Sequence, residues 1–164
     1  SQEDFVDRVL PYLVAAGILP EKPTVEQFAT LTAAAPLVQE RLIVLSDAVG
    51  MLRFLFVEES DFEIEPESAT KALGSEESDA VLDAAIDALH DIPKWTAVEI
   101  ENALKSALVE RLGLKPRKAF APIRVAATGR TVSPPLYESL ELLGRDHTLE
   151  RLRRARNTGG PSRR

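Results

Sequence analysis

The sequence predicts an all-α protein built as two small helical bundles. Three observations carry that expectation: 45% hydrophobic but only 5% aromatic residues, apolar positions that recur at helical rather than alternating spacing, and a series of helix start and stop signals along the chain. A core rich in Ala and Leu suits packed helices better than a sheet. With 164 residues, the chain has length enough for one ordinary domain or two small ones. No internal repeat of solenoid or propeller period is present.

Each element has a local cause. Phe5, Val9, Leu10, Leu13 and Val14 fall on one helical face between Asp4 and Ala16, and Gly17 follows where a left-handed cap sits. Thr24 opens the capping box TVEQ ahead of Phe28 and Leu31, which starts a second helix. Pro36 is expected in the first turn of a third helix that carries Leu37, Val38, Leu42 and Leu45. The stretch Asp47 to Phe56 extends or restarts that helix, with Gly50 as a weak point. The acid-rich run 57–67 reads as a connection or a short turn. Ser75 caps the next helix, which buries Val81, Leu82, Ala85, Ile86 and Leu89 and ends at His90.

The DIPKW segment, residues 91–95, breaks that helix and places Trp95 at a joint, so a border is expected here. The domains read as residues 1–92, residues 93–156 and a disordered tail at 157–164. Thr96 opens a second capping box, TAVE, and a helix carrying Ile100, Leu104, Leu108 and Leu112 runs to Gly113. Ala119, Phe120, Ile123, Ala126 and Ala127 form the next apolar stripe, interrupted by Pro122 and stopped by Gly129. Ser133-Pro134-Pro135 leads into a helix with Leu136, Leu140 and Leu143, and a last helix spans Thr148 to Arg156.

Charge is divided unevenly. Residues 1–114 hold 8 Lys and Arg against 22 Asp and Glu, a net of −14, whereas residues 115–164 hold 12 against 4, a net of +8. A basic block on an acidic body is what contact with a polyanion requires, because cations meeting phosphates release condensed counterions. A merely solvated tail is the competing reading. Other chemistries lack their residues. Without cysteine there is no disulfide, thiolate nucleophile or Cys-based zinc site. His90 and His147 have no second ligand at metal-binding spacing, and no phosphate-binding glycine loop occurs. No apolar run is long enough to span a membrane, and no signal peptide is recognisable. A cytoplasmic protein without membrane attachment is therefore expected.

From Lys94 onward the order of motifs is distinctive: Trp95-Thr96, Pro122-Ile123-Arg124, Thr128-Gly129, Ser133-Pro134-Pro135-Leu136, Leu142-Leu143-Gly144, and Leu149 with Leu152-Arg153. In that register the chain resembles the C-terminal anticodon-binding domain of bacterial glutamyl-tRNA synthetases. RVLPYLVAAG and ERLIVLSDAVGMLRFLF extend the resemblance more loosely over the first half. It implies recognition of the anticodon loop of a glutamate tRNA by a monomer, within a class I ligase that uses ATP and Mg2+ to attach glutamate to tRNA. Neither an H-x-G-H nor a K-M-S-K-S motif is present, so no catalytic residue and no cofactor is expected in these residues, which would follow the nucleotide-binding domain of the longer enzyme.

The resemblance also implies site residues. Arg41 matches the family arginine that reads the third anticodon base, although a surface ion pair beside Glu40 is the plainer use of that residue. Arg124, Ser133, Pro134 and Leu136 match the positions that hold the first two bases, and Lys105 matches a basic position on the backbone. Ser133 serves equally well as a helix cap, and Lys105 as a solvated lysine. One departure is visible: some members carry glutamine three residues before the helix arginine, and this chain has Ala121. A helical protein-interaction or regulatory nucleic-acid-binding module is the alternative that the charge split also permits.

Overall fold

A computed structural model describes residues 1–40 and 44–158. Among them every regular element is helical: α1 (Gln2–Ala15), α2 (Val25–Val38), α3 (Asp47–Phe56), a 3-10 turn (Glu59–Asp61), α4 (Pro66–Ala72), α5 (Glu76–His90), α6 (Ala97–Leu104), a π-helical continuation (Lys105–Arg111), α7 (Pro116–Thr128), α8 (Leu136–Leu143) and α9 (Arg145–Thr158). They form two compact units, one of Ser1–Phe62 with Val132–Pro135 and one of Glu63–Thr131 with Leu136–Arg164.

In the first unit α1, α2 and α3 pack on one another. Val9, Leu13, Leu31, Ala34, Val38 and Leu52 are fully buried between them. Helix α1 ends as its glycine predicts: Gly17 has φ 75°, and the Gly17 and Ile18 amides donate to the Val14 and Leu13 carbonyls. The box at Thr24 closes in both directions with Gln27. Pro36 departs from expectation, because it lies inside α2 instead of opening a third helix. A proline there removes the amide that would bond the Thr32 carbonyl one turn back. The Gln2 side chain on α1 supplies the missing donor, Nε2 to Thr32 O at 2.7 Å, and the helix continues.

In the second unit α5 packs against α6, α7 and α9, while α8 covers α6. Leu82, Leu89, Ile100, Leu104, Leu108, Ile123, Leu140 and Leu152 fill the core. Alanines 85, 119, 126 and 127 are wholly buried where helices meet, since a methyl side chain lets backbones approach closely. Helix α4 was not expected from the sequence; its seven residues begin at Pro66, and the preceding amide, Glu65 N, donates to Gly129 O at 2.9 Å.

The border expected at residue 92 falls inside this unit, and the chain divides instead after Phe62. The reason lies in the side chains around DIPKW. Trp95 Nε1 donates to Leu140 O at 2.8 Å. Arg145 lies over the Trp95 ring at 5.5 Å and donates to the Ile92 carbonyl at 2.6 Å and the His90 carbonyl at 3.3 Å, so it satisfies backbone acceptors at the end of α5. The proline that breaks the helix thus marks a tight corner within one core.

Candidate nucleic-acid interface

Helix α7 presents its functional face through its own periodicity. Arg117, Ala121 and Arg124 recur at helical spacing and, with Pro116, Phe120, Val125 and Thr131, line a cleft of about 380 Å3. Phe120 meets Tyr137 of α8 edge to face, with ring centroids 5.8 Å apart. Tyr137 in turn lies within electrostatic reach of Lys105, Glu101 and Arg124. Lys105 and Arg124, two of the residues expected from sequence, both favour the ionised form of this half-buried phenol.

The π-helical stretch sets where Lys105 stands. After Leu104 the register loosens, so that Leu112 N reaches back to Ala107 O and Leu114 N to Leu108 O. Such stretches are uncommon and often occur at functional sites. Lys105 pairs with Glu101 one turn earlier, and that hydrogen bond, followed by the attraction of the same carboxylate, raises the ammonium pKa above its usual 10.5. Partial burial raises the Tyr137 phenol above its usual 10.0. Both groups therefore keep their protons at neutral pH. The cleft itself offers two guanidiniums, Arg117 and Arg124, and one aromatic ring, Phe120, a set that suits phosphates and unstacked bases.

The other sequence candidates divide differently. Arg41 lies outside the described residues. Ser133, Pro134 and Leu136 are buried, at 5% exposure for both Ser133 and Leu136. The Ser133 hydroxyl donates to the Pro134 carbonyl at 2.7 Å, and Ser133 and Pro134 cluster with the first unit. Pro134 and Leu136, expected from the sequence to give flat side-chain contact, stand on either side of the division between the two units. Phe120 and Tyr137 were missed, and the signal that could have found them was the pairing of aromatic residues with Arg124 and Lys105.

Much of the C-terminal charge is engaged internally. Arg151 is 1% exposed and donates to Ala127 O at 2.8 Å. Arg156 pairs with Asp83 at 2.8 Å and Asp79 at 3.8 Å, Arg130 with Glu65 at 3.5 Å, and Arg154 with Glu150 at 3.7 Å. By contrast Lys115, Arg117 and Lys118 at the start of α7 are exposed, with no ion pair among the described residues. The free positive charge is thus narrower than the sequence suggests, and it adjoins the Arg124 cleft.

Known proteins agree with this reading of the fold. The profile of the anticodon binding domain family matches residues 4–156. A glutamate–tRNA ligase of Saccharopolyspora erythraea is 66% identical over 153 residues, 93% of this chain and 30% of that protein. The glutamate–tRNA ligase of Mycobacterium tuberculosis is 58% identical over 132 residues, 80% of this chain and 26% of that protein. Among solved structures, a glutamate tRNA ligase from Elizabethkingia meningosepticum superposes with a TM-score of 0.76 at 20% identity, over 98% of this chain and 30% of that one, which supports the fold. This chain spans roughly a third or less of the length of these relatives. From α1 to α9, it belongs to the anticodon binding domain family.

Proposed function

We propose that this chain recognises the anticodon loop of a glutamate tRNA, as the RNA-gripping part of a glutamate–tRNA ligase whose chemistry resides elsewhere in a longer protein. The observation that carries the proposal is the α7 cleft lined by Arg117, Phe120 and Arg124 in a chain of the anticodon-binding family. ATP and Mg2+ belong to the activation step of the longer protein, and no residue here is assigned to either. A cytoplasmic monomer fits the reading, and no helix among the described residues is long and apolar enough to cross a membrane.

In this mechanism the loop bases unstack into the α7 cleft. Tyr137 and Phe120 offer ring surface, Arg124 donates from its planar fork to a base edge, and Lys105 exchanges Glu101 for a phosphate. Phosphate contacts fix position and base contacts carry sequence information. Arg41, by family resemblance, donates to the third anticodon base, where a guanidinium suits the acceptor edge of cytosine and meets donors on guanine. Ser133, Pro134 and Leu136 serve by holding the turn whose backbone faces the bases.

Nuclease footprinting of a glutamate tRNA with the chain tests the reading: protection of the anticodon loop is expected, and protection confined to the acceptor end contradicts it. Arg41→Gln is expected to weaken discrimination at the third base more than total affinity, and equal losses for every tRNA refute that assignment.

A further inference from the structure

A second cleft, about 320 Å3, opens between α4, the start of α5 and α7, lined among others by Lys71, Ser75, Glu77, Arg117, Lys118 and Pro122. Arg117 and Ala121 line this cleft and the Arg124 cleft alike, so the two adjoin on either side of α7. Seven residues of helix separate Arg117 from Arg124, about 10 Å along the axis. Lys71, Arg117 and Lys118 are exposed and form no ion pair among the described residues; Glu77 is the one carboxylate that lines the cleft with them. Three cations against one carboxylate around one concavity leave an excess of positive charge whose mutual repulsion a polyanion removes. The neighbouring arginines of α9 show the contrast, since Arg154 and Arg156 each have a carboxylate partner.

We propose that Lys71, Arg117 and Lys118 form a backbone clamp that binds the phosphates of the RNA strand running on from the bases held at Arg124. The clamp rests on the anticodon reading above and extends it. The cleft offers cations without an aromatic ring, so it positions the strand and reads no sequence. Ala121 matters to the geometry: a longer side chain at that position would stand between the two clefts and obstruct a strand that passes from one to the other.

The test is tRNA affinity of the full chain as a function of salt, for the wild type, the double variant Arg117→Gln/Lys118→Gln, and Lys71→Gln, each checked for native helicity by circular dichroism. The double variant is expected to lose about tenfold in affinity near 0.15 M salt, equally for cognate and anticodon-swapped tRNA, and to lower the log-log salt slope by about 1.5 to 2. Lys71→Gln is expected to lower the slope by about half as much. An unchanged slope in folded variants that still prefer the cognate anticodon overturns the clamp and leaves the anticodon reading standing. Loss of anticodon preference with no change in slope also overturns the clamp, since these residues would then read bases. Absence of tRNA binding by the wild type overturns both.

Discussion

Arg151 separates the two uses that this chain makes of its basic residues. It is almost wholly enclosed, and its guanidinium satisfies the Ala127 carbonyl near the end of α7, so its work is structural. Arg151→Ala leaves that acceptor unpaired and opens a cavity, which together cost about 3 kcal/mol. A clear fall in the urea midpoint is expected, with tRNA affinity per folded molecule unchanged; an unchanged midpoint contradicts the assignment. Arg124 and Lys105 should behave in the opposite way. Arg124→Gln is expected to reduce preference for the cognate anticodon about tenfold, whereas Lys105→Gln should weaken all tRNAs alike, and the two are distinguished by parallel titrations. The sign of the pKa shifts makes a further point. Lys105 and Tyr137 are both raised, so each keeps its proton until the pH passes values above 10.5 and 10.0. Their contribution is present throughout the neutral range and is lost only in strong alkali. Binding measured between about pH 6 and 9 should therefore show no step from these two groups, and a step that Lys105→Gln or Tyr137→Phe abolishes would contradict that.

Helix α2 shows how a local rule can be right and its conclusion wrong. Pro36 does remove a backbone donor, but Gln2 replaces it from a segment 30 residues away, and no local pattern announces such a partner. A double-mutant cycle tests the explanation. Gln2→Ala is expected to cost about 1 kcal/mol in thermal or urea unfolding when Pro36 is present. It should cost little in a Pro36→Ala background, where the backbone amide is restored; equal costs in both would contradict the compensation. Other elements were legible because their causes are local: the Thr24 box closes as read, Gly17, Gly113 and Gly129 take left-handed conformations at helix ends, and Ser75 accepts from the Ser78 amide. At Thr96 only half of the expected box forms, the Glu99 amide donating to the Thr96 hydroxyl at 3.2 Å, while Glu141 of α8 accepts from the next amide, Ala97 N, at 2.9 Å. The π-helical stretch and α4 escaped the sequence for the same reason as Gln2. Both depend on tertiary packing: α4 abuts α7, and the π-helical turn retains the apolar spacing that made it look like ordinary helix.

Taken as one molecule, the chain distributes charge in a way that composition alone misreads. The net +8 of residues 115–164 suggested a broad basic face, yet several of its arginines neutralise α5, stitch α9 to itself or cap α7. Among the described residues, Lys115, Arg117 and Lys118 at the start of α7 stay exposed and without an ion pair. Family resemblance pointed to Lys105 and Arg124, but it could not show that Ser133 and Leu136 are enclosed, because burial depends on contacts distant in sequence. The account therefore stands or falls on anticodon-dependent binding. Filter binding compares a glutamate tRNA with the same tRNA carrying a swapped anticodon, at one fixed salt concentration. The account predicts a preference of at least about tenfold for the native anticodon, largely removed by Arg124→Gln; equal affinity for both tRNAs would contradict it.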